Sequence, residues 1–235
     1  MAVPTNLFQK ASLKGDREDL INKIYNTSPT ETPVLSAVGR VSATNTYHEW
    51  QRDALATANK DNALIDGDDV TLDAQTATER VGNYMQIFAK KPGVSRRANI
   101  VKKAGRGSEL AYIKAKAMLE IKRDIEAMIV SANAAVAPTT AVAGKSGGLG
   151  VQNNANTEHG AGGSTAAWTS GAPTTAPTAG TGRAFTEALL KSAVQKTYIA
   201  SGEVPRMVIM SPNHKGVFSG FAGIAVNRFL VSEKE

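Results

Sequence analysis

The chain has 235 residues, 42% of them hydrophobic but only 6% aromatic, with a formal net charge of +6 and no cysteine. That length allows one large or two small domains with a real core. The composition excludes disulfides and thiolate metal sites and fits cytosolic synthesis, while the mild basic excess permits contact with nucleic acid without establishing it.

Met1 to Asn6 carry no basic n-region and no apolar h-region, so no signal peptide is expected. No apolar run is long enough to span a bilayer. Arg17 to Tyr25 reads as a short helix, with Leu20, Ile21 and Ile24 on one face. The prolines of Ser28-Pro29-Thr30-Glu31-Thr32-Pro33 then hold the chain extended. Val34 to Gly39 reads as a buried anchor of undecided type.

Residues 44–55 contain the strand formers Thr46, Tyr47 and Trp50, and their expected partner is Arg80 to Ser95, through Val81, Tyr84, Met85, Ile87 and Phe88. The connection, Ala56 to Glu79, is polar and acidic: Asp61, Asp66, Asp68, Asp69 and Asp73. Loops of that length are usually functional or mobile. A two-stranded arm is weak alone, so it should rest on something else, such as a neighbouring subunit.

A basic approach follows: Lys90, Lys91, Arg96, Arg97, Lys102, Lys103 and Arg106. Ser108 is placed to cap a helix, with Glu109 in its first turn complementing the dipole. The helix is expected to run to about Val136, ended by Pro138, with Leu110, Ile113, Ala117, Ile121, Ile125, Met128 and Ala132 along one face. At 1.5 Å per residue it would span roughly 40 Å.

Residues 137–183 are rich in Ala, Gly, Thr, Ser and Pro, and Ser146 to Gly182 contain no Lys or Arg. The expectation is a surface loop or insertion, partly mobile. Helical spacing returns from Phe185 to Ile199, closed by Ser201-Gly202, the glycine suiting a left-handed cap. Met207 to Met210 reads as a short buried strand. Ser211 then caps a further helix with Pro212 at its first position.

No motif points to catalysis or a cofactor. Gly144-Lys145-Ser146 imitates the end of a phosphate-binding loop, but Thr139 stands where the pattern needs a glycine. His48, His159 and His214 lack paired metal-ligand spacing. Ser219 lacks a nucleophile elbow, because Val217 precedes it by two. Asp66, Asp68 and Asp69 lack the spacing of a calcium loop and read as a solvated acidic segment. The basic run reads either as a solvated face or as a contact for an acidic neighbour or packaged DNA. Trp50 and Trp168 read as packing or interface anchors rather than base-stacking platforms.

The block Thr27 to Ser36, then His48-Glu49-Trp50-Gln51-Arg52-Asp53, Gly82-Asn83-Tyr84 and Gly105 to Tyr112 resembles the SU-ten-like major head proteins of tailed bacteriophages. The resemblance continues through Lys122 to Ala127 and from Thr186 to Gly223, including Met210-Ser211-Pro212. It implies an α+β chain with the Hong Kong 97-type capsid fold. Residues 1–43 would be the N-arm, 44–95 the extended E-loop, and 96–137 the peripheral domain with its spine helix. The Gly/Thr-rich loop or insertion would occupy 138–183, and the start of the axial domain 184–235. Members of the family continue beyond the Ser-Pro turn, so the axial domain is expected to be incomplete here.

The implied function is a non-enzymatic major capsid subunit, made in the host bacterial cytoplasm and located in the virion. It would self-assemble through hexamers and pentamers into an icosahedral shell around double-stranded DNA, held without sequence specificity. The short N-arm leaves no room for a fused scaffolding domain, so a separate scaffold is expected, with portal and decoration proteins. A shell with a protein cargo, as in a nanocompartment, and a basic DNA-binding protein are the alternatives. No cofactor or metal is expected. The residues expected at contacts between subunits are Trp50, Asp66, Asp68, Asp69, Lys90, Lys91, Arg96 and Arg97. Those expected to face DNA are Lys102, Lys103 and Arg106.

Overall fold

The computed structural model describes residues 7, 8, 10, 13, 14, 18–67, 69 and 72–221. They fall into two units: the described parts of residues 1–32 with 89–124, and residues 33–88 with 125 onwards. The elements are mixed α and β, in the order α1 (Pro33–Ala37), β1 (Tyr47–Arg52), β2 (Glu79–Tyr84), α2 (Arg96–Ile100), α3 (Glu109–Val130), α4 (Leu149–Gln152), β3 (Ala167–Thr169), β4 (Ala172–Thr175), α5 (Glu187–Ser201) and α6 (Pro212–Ser219).

In the first unit, the sequence pattern of α3 is realised at its start. Ser108 Oγ accepts from Ala111 N at 3.3 Å, supplying the expected cap. Asn99 Oδ1 adds a second acceptor for the helix's free amides, 3.2 Å from Leu110 N. The expected stripe from Leu110 to Met128 is the less exposed face, with Ala117 buried. The expected helix over Arg17 to Tyr25 is not found: Arg17 lies outside the described residues, and 18–25 are irregular, with Leu20 and Ile21 exposed. Those residues serve α3's approach instead. The Asn22 side chain accepts from Gly105 N, and Ile24 lies where a Cβ on Gly105 would sit, at φ +77°.

In the second unit, β1 and β2 pair antiparallel, with Tyr47 opposite Tyr84, Trp50 opposite Val81 and Arg52 opposite Glu79. Each is six residues long, so both stop well inside the expected ranges. Register is fixed on one face by the Tyr47 and Tyr84 rings, 4.7 Å apart, and by Arg80–Glu49 at 2.6 Å, and on the other by Arg52–Glu79 at 2.8 Å. These ion pairs are exposed and contribute little stability each; cross-strand placement is what they specify.

The Gly/Thr-rich tract corrects the expectation of a surface loop. It carries α4 and the β3–β4 hairpin, and it supplies Val151, Ala166, Ala172 and Pro173 to the core beside Val81 and Ala135. Gly82 N donates to Gly171 O at 2.8 Å, and Ala135 N to Pro173 O at 2.8 Å. The same tract shortens α3. The helix ends at Val130 rather than near Val136 because the following backbone has other partners: Ser131 O accepts from Gly150 N, Asn133 O from Gly148 N, and Val136 bridges Lys145.

The second unit also holds α5, capped by Thr186 and closed by Gly202 at φ 72°, as the Ser-Gly signal implied. Ser211 caps α6 with Pro212 at its first position, also as expected. Met207 to Met210 is not a buried strand. It has no regular structure and is half-exposed, and no strand among the described residues pairs with it.

Candidate functional site

The surfaces available for function are the long loop on the hairpin, the basic run before α3, and the ordered tract that braces the hairpin. The loop, residues 53–78, has no regular structure among its described residues. Leu55 and Leu72 are each 99% exposed, and Ile65 and Leu64 are 79% and 68% exposed. Asp61, Asp66, Asp69 and Asp73 form no ion pair among the described residues. Asp68, expected at a subunit contact, lies outside the described residues. Gly67 turns the loop at φ +83°, a conformation natural to glycine.

Trp50 sits on β1, 42% exposed, with the His48 ring 6.3 Å away. His48 is thus a strand residue beside an aromatic. Trp168, on β3, is engaged: its Nε1 donates to Val151 O at 3.2 Å, and the Arg52 guanidinium lies 5.5 Å from its ring.

The basic run divides into two groups that its sequence does not distinguish. Lys90 pairs with Asp124 at 2.7 Å, and that hydrogen bond raises its pKa above the ordinary lysine value. Lys103 and Arg106 both turn to Glu109, Lys103 at 3.8 Å and Arg106 closer. Arg106 also stacks its guanidinium on Tyr112, 5.3 Å from the ring. Lys91, Arg96, Arg97 and Lys102 have no ion-pair partner among the described residues. Of the three residues expected to face DNA, only Lys102 therefore lacks an ion-pair partner among the described residues. Arg96 and Arg97 lie on α2, whose cap is Ser95. Beside that turn is a cleft of 560 Å³ between residues 93–101 and the first turns of α3.

Sequence reasoning missed two binding arrangements within the second unit. Glu126 uses both carboxylate oxygens to accept from Val34 N at 2.9 Å and Leu35 N at 2.7 Å, seating the buried Val34. Glu158 accepts from Ser192 Oγ at 2.6 Å, pairs with Lys196 at 2.7 Å and faces Arg183 at 3.6 Å. The Lys196 and Ser192 hydrogen bonds hold its carboxyl at a pKa of about 2. Neither carboxylate stands in a recognisable motif; each is recognised only by what folds against it.

The Gly144-Lys145-Ser146 segment is committed to structure. Lys145 bridges Val136, Ser146 N donates to Gln86 Oε1 at 3.2 Å, and Ser146 Oγ accepts from Asn83 at 3.1 Å. Among the described residues no group of three or more His, Cys, Asp or Glu side chains is placed to hold a metal ion. No described helix is long and apolar enough to cross a membrane.

Two comparisons with known proteins agree with one another. The family described as SU10 major capsid protein matches residues 3–234. The major capsid protein of Escherichia phage Phieco32 is 37% identical over 134 residues, which make up 57% of this chain and 38% of that protein. The chain thus spans less than half the length of that relative. The chain belongs to the SU10 major capsid protein family.

Proposed function

We propose that this family member self-assembles, through hexamers and pentamers, into the icosahedral head of a phage enclosing double-stranded DNA. The fold would be of the Hong Kong 97 type. Residues 1–43 act as an arm that latches onto a neighbour, 44–95 as the E-loop that reaches over it, and α3 as the spine that braces the shell wall. Residues 96–137 form the peripheral domain, the tract 138–183 is an elaboration of it, and 184–235 begin the axial domain. A separate scaffold, a portal and decoration proteins are the partners of such a head.

The observation that carries this reading is the loop on the β1–β2 hairpin, with Leu55 and Leu72 each 99% exposed and Asp61, Asp66, Asp69 and Asp73 in no ion pair among the described residues. Apolar side chains in that state favour burial against another surface. Asp66 and Asp69, with Asp68, would approach Lys91, Arg96 and Arg97 of an adjacent subunit, cations that have no ion-pair partner among the described residues, with Trp50 at the same contact. Lys90 would contribute less, because Asp124 already holds it. Lys102 would face the packaged DNA, with Lys103 and Arg106 contributing less because Glu109 compensates them. The test is nuclease treatment of purified particles. Protected double-stranded DNA supports the reading, whereas closed shells holding only protein favour a nanocompartment.

A further inference from the structure

We propose that Asp66–Gly67 is a self-modifying site: in the unassembled chain it rearranges through a succinimide to isoaspartate, and the altered loop withdraws aged subunits from assembly. The chemistry is independent of the capsid reading, and the consequence for assembly rests on it.

The reaction needs an aspartyl carboxyl, a following backbone nitrogen that nothing crowds, and a chain able to bring the two together. Asp66 is the one Asp or Asn in the sequence that is followed by Gly, and glycine has no Cβ to crowd its own nitrogen. Both residues are exposed, in a loop without regular structure among its described residues. Among the described residues, neither the Asp66 carboxylate nor the Gly67 amide has a hydrogen bond or ion pair to hold it. Nothing lies within 4 Å of where a Cβ on Gly67 would sit, so no neighbouring side chain screens the step. Gly67 stands at φ +83°. The turn therefore calls for glycine, and the labile pair follows from the shape of the loop. The other aspartates lack one of these conditions. Asp53 and Asp73 precede alanine and Asp61 precedes asparagine. Ala54 N already donates to Asp53 Oδ1 at 2.9 Å. Asp124 lies within α3 and pairs with Lys90 at 2.7 Å.

In the step itself, the Gly67 nitrogen attacks Asp66 Cγ. The N–Cγ bond forms, a Cγ–O bond breaks, and the amide proton leaves with the carboxyl hydroxyl as water. The succinimide then takes up water. Opening between nitrogen and Cγ returns aspartate, whereas opening between nitrogen and the Asp66 carbonyl carbon leaves the chain running through Cβ and Cγ. No oxidant or cofactor takes part, and mass and charge are conserved. The backbone gains a methylene, and the carboxylate ends directly on Cα. Everything beyond the step, Asp69 and Leu72 included, is thereby displaced relative to Leu64 and Ile65.

The test is isotope labelling. The purified chain is aged unassembled in heavy-oxygen water, induced to assemble, and separated into shells and remainder. Each fraction is digested, and the loop peptides are read by mass spectrometry with fragmentation that distinguishes isoaspartate. The expected result is label at Asp66 and none at Asp53, Asp61 or Asp73, with isoaspartate several-fold richer in the remainder than in the shells. Gly67→Ala, whose added methyl meets no atom of the fold, should cut the labelling several-fold. No label at Asp66, or equal label at the other loop aspartates, overturns the site. Equal isoaspartate in the two fractions overturns the consequence for assembly. Failure of the fresh chain to form any shell or ring is a failure of the capsid reading instead, and the label still decides the chemistry.

Discussion

The Asn83 side chain pairs with both backbone groups of Gly147: Oδ1 accepts from Gly147 N at 2.9 Å, and Nδ2 donates to Gly147 O at 3.0 Å. A side-chain amide here takes the place that a neighbouring strand's peptide would fill. It fastens β2, and with it the root of the long loop, to the Gly-rich tract.

Replacing Asn83 with Ala should destabilise the second unit by about 1–3 kcal/mol, since two part-buried backbone groups lose their partner. Asn83→Asp should cost at least as much, because a carboxylate keeps the acceptor but faces Gly147 O without a proton to donate. Urea unfolding of the two variants against the parent measures both.

Gly148 is a sharper steric test. A Cβ there would lie 2.2 Å from Ser131 O and 2.6 Å from Met128 O, both backbone atoms at the end of α3. Gly148→Ala should cost roughly 1–3 kcal/mol or more through forced backbone shifts. Gly182→Ala, where nothing lies within 4 Å of the added Cβ, is the control and should leave the midpoint nearly unchanged.

The tract was the least legible part of the sequence, and these two residues explain why. Its packing is made by close approach of backbones at glycines and by side-chain amides that imitate peptides. Hydrophobic periodicity registers neither. Elements governed by local chemistry were legible: the Ser108 and Ser211 caps, the left-handed Gly202, and the pairing of the two hairpin strands, though not their register. Met207 to Met210 has the composition of a strand, but composition does not supply a partner, and none of the described strands pairs with it. At the candidate contact, the opposite charges of loop and basic run were legible. The division of the run into satisfied and unsatisfied cations was not, because Glu109 meets Lys103 and Arg106 only once the run has turned into α3.

Glu158 should give the second unit a pH dependence of definite sign. Its folded pKa, about 2, is depressed from the ordinary 4.5. The stability it contributes is therefore fully present above about pH 4.5 and is lost as pH falls toward 2. Thermal unfolding of Glu158→Gln against the parent should show a gap at neutral pH that closes across that interval. A gap of constant size would contradict the assignment.

Glu126 should hold α1 in place. Glu126→Gln leaves one oxygen for two amide donors and removes the charge that strengthens them, a loss of about 1.5–3 kcal/mol. Hydrogen exchange at Val34 and Leu35 should accelerate in this variant, while exchange in α5 should not change.

The most direct test of the account is electron microscopy of the purified protein under assembling conditions. Closed shells, or rings of five and six subunits, are the expected result. Particles that remain monomeric at every concentration and salt, while binding DNA as monomers, would contradict the capsid reading and favour a basic DNA-binding protein.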